Sequence, residues 1–169
     1  MLPAYPVRSF IYEACVESLA DALDAEQRGA HRIELCSALD QDGLTPSRDL
    51  IGECRRRLSI PIMVMIRPRG GDFVYSDDEV AQMADEIAFC KRSGVAGVVF
   101  GLLTPDGAID GKNTERLVRA ALPLDITFHK AIDYSVDVMA SFARLNSIDG
   151  ITRVLTSGGC ATAWEGRET

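Results

Sequence analysis

The chain has 169 residues, 47% of them hydrophobic, and carries a formal net charge of −7. That length suits one domain with a real core, and the acidic balance argues against a nucleic-acid or membrane-surface binder, which would present a basic face. No apolar run reaches membrane-spanning length, and the opening MLPAYPVRSFIYEACVES lacks the charged start, long apolar stretch and cleavage site of a signal peptide.

In chain order, two prolines and an arginine make a short arm that leads into a first strand, FIYEAC (10–15). Ser18 can cap the helix that follows and Gly29 can stop it. RIELC (32–36) is the second strand, and after the loop GLTPS (43–47) Ser47 caps the next helix. The third strand, IPIMVMIR (60–67), runs straight into Pro68-Arg69-Gly70-Gly71-Asp72. Ser76-x-x-Glu79 is a capping box, with Val80, Met83, Ala84 and Ile87 at helical spacing behind it and Gly94 as the stop. Then come the strand GVVFG (97–101), the loop LTPDG (103–107), and the strands DITFHK (125–130) and TRVLTS (152–157). The terminal CATAWEGRET falls within or just before a sixth helix. Strands separated by helices imply parallel βαβ units, and no linker interrupts the series, so residues 1–169 read as a single domain.

Alternation along the strands predicts which architecture this is. Ile62, Val64 and Ile66 share one face of the third strand, while Met63, Met65 and Arg67 share the other. Ile33 and Leu35 oppose Glu34 and Cys36, Ile126 and Phe128 oppose Thr127 and His129, and Glu13 goes with Cys15. A doubly wound sheet is covered by helices on both faces and should be apolar on both, whereas a barrel has an outside and an unlike inside. The fold class is therefore α/β, a TIM-barrel-like (β/α) fold. Six βα units are visible of an expected eight, which normally need about 250 residues.

Five cysteines, an odd number without a CxxC pair, favour a reducing cytoplasm. Functional groups in parallel β/α folds gather at the carboxyl ends of strands. That rule selects Glu13, Cys15, Glu34, Cys36, Arg67, Arg69, Asp72, His129, Lys130, Asp133 and Ser157. Glu13 and Glu34 are either partners in an interior ion pair with Arg67 or proton-transfer groups. Arg67, Arg69 and Ser157 suit a carboxylate or phosphate, with Asp72 anchoring the loop through Arg69 or backbone amides. His129 is a proton shuttle, a metal ligand or a satisfied core histidine, and Asp133 is a further candidate for proton transfer. Cys15 and Cys36 follow Glu13 and Glu34 by two residues on successive strands, and neighbouring strands lie about 4.8 Å apart. Thiolates there, with Met63 and Met65 on the same face of the third strand, suit Cu(I), although cysteine and methionine are also ordinary core fillers. Cys54 and Cys90 lie on apolar helix faces and read as packing. No Walker motif or GxGxxG supports a nucleotide cofactor.

The segments EACVESL, HRIELCSAL, DGLTPS, IPIMVMIRPRGGDFVYSDDE, LTPDGAID, ITFHKAID and RVLTSGG together resemble the CutC family of copper homeostasis proteins. The resemblance covers nearly the whole chain after residue 10. It implies a TIM-barrel-like fold, a cytoplasmic location, Cu(I) handling, and copper ligands at Cys15 and Cys36. Two departures stand out: Lys130 and Ile132 occupy positions where arginine and phenylalanine are usual, and DQDGLTPS replaces a commoner GGLTPS. Chains of the family extend well beyond residue 169, so the C-terminal part of the family fold, with its last two strands, is expected to be missing.

Two functions remain in view. One is a cytoplasmic copper homeostasis protein that binds or handles Cu(I) through Cys15 and Cys36. The other is a barrel enzyme for a small anionic metabolite, with Arg67, Arg69 and Ser157 on the anion and Glu13, Glu34, His129 or Asp133 moving protons. An incomplete barrel leaves its first and sixth strand edges unpaired, which predicts a homo-oligomer or a chain that is unstable alone. Light scattering of the 169-residue chain should give a mass above one protomer; a stable, monodisperse monomer would contradict it.

Overall fold

A computed structural model describes residues 10–169, and the arm expected at the N-terminus lies outside them. The strands are β1 (Glu13–Val16), β2 (Arg32–Leu35), β3 (Ile62–Met65), β4 (Gly97–Phe100), β5 (Asp125–Phe128) and β6 (Arg153–Val154). Each pairs in parallel with its neighbour in sequence, in the order β1-β2-β3-β4-β5-β6. A doubly wound sheet would reverse its strand order at a switch point. This order never reverses, and the six strands form a TIM-barrel-like half-barrel.

Strands are shorter than the sequence suggested, because side chains and turns take over the backbone groups at their ends. Arg67 N–H donates to the Thr45 hydroxyl instead of continuing a ladder, and residues 130–134 wind into a 3-10 turn capped by His129. Helices α1 (Leu19–Gln27), α2 (Arg48–Arg57) and α3 (Asp77–Ser93) begin at Ser18, Ser47 and the Ser76/Glu79 capping box, each serine accepting a first-turn N–H. Gly94 ends α3 at φ 71°, a left-handed position. Helices α4 (Gly111–Ala121) and α5 (Val138–Asn146) use Asp110 and Asp137 as caps. Turns follow β6; among the described residues there is no sixth helix. No helix is long and apolar enough to cross a membrane.

The two faces of the sheet differ as alternation requires. Ile33, Leu35, Ile62, Val64, Val98, Ile126 and Phe128 point outward and join Ile51, Cys54, Val80, Met83, Ile87, Cys90 and Leu117 of the helices in one large apolar cluster. Both helical cysteines are therefore packing groups, as expected. Inside lies a separate, smaller cluster of Cys36, Met63, Met65 and Val99. The outer edge of β1 is preceded by exposed Phe10, Ile11 and Tyr12, and exposed Leu155 and Trp164 follow β6.

The interior floor depends on one small residue. Gly97 of β4 pairs in register with Met63 on one side and Asp125 on the other. A Cβ there would stand 2.5 Å from the Asp125 carbonyl oxygen and would overlap the Met63 side chain. The carbonyl belongs to the sheet and cannot move far. Gly97→Ala should therefore cost about 1–3 kcal/mol in a urea melt, with Gly52→Ala, on an open helix face, as the benign control.

Candidate functional site

The carboxyl ends of β1, β2, β3 and β5 converge on a cavity of about 370 Å³. Glu13, Cys15, Glu34, Arg67 and His129 all line it, together with Asp42, Phe73 and Lys130. Cys36 sits directly behind, fully buried. Its sulfur is 3.7 Å from the Cys15 sulfur, and each sulfur is 3.7 Å from Glu34 Oε1. Alternation produces this triangle: Cys15 and Glu34 are register partners on β1 and β2, and Cys36 comes two residues after Glu34. Among the described residues it is the one group of cysteine, histidine and carboxylate donors close enough to share an ion.

Electrostatics favour the protonated forms of two of these groups, Glu34 and Cys36. Burial, and then the nearby Glu13 charge, push the Glu34 carboxyl above its ordinary value, against the pull of the two thiols. The Cys36 thiol is pushed up as well, by its contact with Cys15 and by burial. Sulfurs 3.7 Å apart can both reach an ion at about 2.3 Å with a near-tetrahedral angle between the bonds. Met65 and Met63 pack beside Cys36, and Gly43, at φ 83°, approaches so closely that a Cβ would lie 3.1 Å from the Cys36 sulfur. The donor set is soft, dry on one side and reachable through exposed Cys15, which fits a thiophilic ion.

The expected ion pair between these carboxylates and Arg67 does not form. Glu13 instead pairs with Arg32, its register partner across β1 and β2. Arg67 turns its guanidinium to backbone carbonyls: Nη1 donates to Gln41 O (2.8 Å) and Gly43 O (3.3 Å), and Nη2 to Gly71 O (3.0 Å). Arg69 points elsewhere, donating to Glu79, to Asp72 and to the Val74 carbonyl over the Tyr75 ring. Asp72 thus anchors its loop, as the sequence suggested, and accepts the Val74 N–H too.

Asp133 and Ser157 lie in a neighbouring cavity of about 470 Å³. The glycine-rich loop at 156–159 binds an anion, but one from the chain itself. Asp133 accepts the N–H groups of Ser157 and Gly159, both at 2.9 Å, and the Thr156 hydroxyl at 2.6 Å. The Ser157 hydroxyl donates to Cys160 O.

His129 is buried at the end of β5. Its Nδ1 accepts the Ala131 N–H at 3.2 Å, which places the ring proton on Nε2. Burial, and then the Arg67 charge, lower its pKa to about 3. Lys130 beside it forms a 2.6 Å ion pair with Asp42, and that hydrogen bond is the chief cause of the lowered Asp42 pKa. The sequence departures at Lys130 and in DQDGLTPS therefore meet in space. Asp42 sits at φ 65°, where glycine is at ease, and its side chain is held there by Lys130.

Several residues at the site were not singled out from the sequence. Arg32 shares strand parity with Glu34, and Arg153 shares it with Leu155, so alternation was the available signal for both. Arg153 spans the far edge of the interior, donating to Asp125 and Thr127 and lying 3.5 Å from the Met63 sulfur. Phe73 and Asp42 come from loops and carried no periodic signal.

The family model described as the CutC family matches residues 10–169. The copper homeostasis protein cutC homolog of Homo sapiens is 46% identical over 157 residues, covering 93% of this chain and 57% of that protein. The mouse homolog, at 48% identity, is covered to the same 57%. The chain thus spans little more than half the length of these relatives. A crystal structure assigned as the copper homeostasis protein CutC of Streptococcus agalactiae superposes with a TM-score of 0.88 at 34% identity, covering 95% of this chain and 79% of that one. A 2,3-dimethylmalate lyase, at 16% identity and a TM-score of 0.62 over 95% of this chain and 61% of that one, shares the fold.

A histidine whose folded pKa lies below its ordinary 6.5, at about 3, stabilises the fold fully above pH 6.5. That contribution is lost as pH falls toward 3, because the unfolded chain takes up the proton first. Between pH 6.5 and 5 the His129 share of the urea stability should decline with a slope approaching about 1.4 kcal/mol per pH unit, read as the difference from a His129 variant. In His129→Asn, which keeps an acceptor for the Ala131 N–H, the decline should flatten.

Proposed function

The chain belongs to the CutC family of copper homeostasis proteins, and from that premise we propose that it binds Cu(I) between Cys15 and Cys36. The observation that carries this reading is the 3.7 Å triangle of two thiols and the Glu34 carboxylate, with methionine sulfur packed behind it. A soft monovalent ion displaces the thiol protons when it binds, and the two sulfurs take most of the bonding. Glu34 supplies the remaining oxygen donor, giving up its own proton to solvent as the ion arrives. Arg32 holds Glu13 away from the ion as a paired carboxylate. The ion is cargo: Cys15 is exposed and Cys36 buried, so a donor molecule can pass it to the outer sulfur before it settles on the inner one.

A reducing, cytoplasmic location belongs to the same reading, since five free cysteines, two of them nearly touching, suit a compartment that keeps thiols reduced. Self-association belongs to it as well, supported by the apolar residues exposed beside β1 and β6.

Under anaerobic conditions the reduced protein should take one equivalent of Cu(I) in competition with a strong chelator. The double variant Cys15→Ser/Cys36→Ser should take none, and Glu34→Gln should bind about 10–100-fold more weakly, as loss of a supporting donor usually costs. Full binding in the double variant would remove this site.

A further inference from the structure

We infer that the cavity beside the sulfur cluster binds a small monocarboxylate, with Arg67 supplying the charge and His129 the oriented hydrogen-bond donor. This ligand is distinct from the copper cargo and does not depend on it.

Arg67 is the one buried cation among the described residues, 3% exposed. It has no carboxylate within ion-pair distance among them. Three carbonyls take Nη1 and Nη2, and Nε has no acceptor. A buried guanidinium held only by neutral dipoles remains a charge in search of a counter-ion. His129 is also 3% exposed, and its Nε2–H likewise has no acceptor among the described residues. Both groups pack on one aromatic ring: the Arg67 guanidinium carbon lies 4.8 Å over Phe73, and the imidazole centroid is 5.1 Å from it. Both line the 370 Å³ cavity. Each residue thus keeps one buried N–H without an acceptor beside this cavity, and a carboxylate brings one oxygen for each.

The rest of the wall selects the charge of the ligand. Lys130 is neutralised by Asp42 and Glu13 by Arg32, so the positive charge left over is that of Arg67. A monoanion balances it. A phosphate dianion would bring a second negative charge with no unpaired cation left on the wall to meet it, and no unoccupied glycine-rich turn lines this cavity to receive it. The neutral state of His129 agrees with a donor role: the imidazole gives a hydrogen bond without adding a second cation. The volume limits the ligand to a small metabolite.

The test is calorimetric titration of the purified 169-residue chain with lactate, acetate, inorganic phosphate and neutral lactamide. Lactate or acetate should bind saturably at millimolar concentration, while phosphate and lactamide should not. His129→Asn keeps the acceptor for Ala131 N–H and loses the Nε2 donor, and it should weaken carboxylate binding about tenfold or more. His129→Gln, which returns an N–H near that position, should recover part of the loss. Cys36→Ser, which disables the copper site, should leave carboxylate binding unchanged, so the two readings can fail separately. In the wild-type protein the Nε2 proton resonance of His129 should move on saturation, a readout that needs no variant. The inference is overturned if neither carboxylate binds, if phosphate binds better than both, if His129→Asn binds as well as wild type, or if the resonance stays in place.

Discussion

Side-chain alternation along six parallel strands in register separates the chemistry of this protein into two compartments. Every second residue enters the apolar layer beneath the helices, where nothing reactive would survive without a partner. The other half turn inward, and because all six strands run the same way, their last inward residues meet at one rim. The Cys15–Glu34–Cys36 triangle follows from this arithmetic, since two strands carry the same Glu-x-Cys pattern two residues out of step. A one-residue slip of β1 against β2 would send Cys15 into the helix layer and leave Cys36 alone.

This explains why some of the molecule was legible in the sequence and some was not. Period-two alternation in IMVM and ITFH identified the barrel-like fold, its inner face and most of the residues on the cavity wall. Alternation reports which face a side chain takes, but it cannot report what that side chain bonds to. Arg67 was placed correctly and then found to hold three carbonyls instead of Glu13 or Glu34. Asp133 and Ser157 were likewise at the right end of the sheet, yet they bind each other. Partners of that kind are set by loop paths, and loops carry no periodic signal from which Phe73 or Asp42 could have been read.

The two sequence departures teach a related lesson. An aspartate at a left-handed backbone position and a lysine where arginine is usual each look unremarkable or mildly unfavourable alone. In space they form one ion pair across 88 residues of chain, at the mouth of the cavity. A change at either position is therefore intelligible only with the other.

Arg67 also ties together segments that are otherwise separate. Its side chain accepts no competition from water while it holds Gln41, Gly43 and Gly71, and its backbone exchanges hydrogen bonds with Thr45. The loop after β2 and the loop after β3 consequently share a single fastening. Releasing either strips partners from the same guanidinium, so the stability of each loop is coupled to the other. Any molecule that reaches the cavity beside Arg67 passes two loops pinned by one and the same side chain.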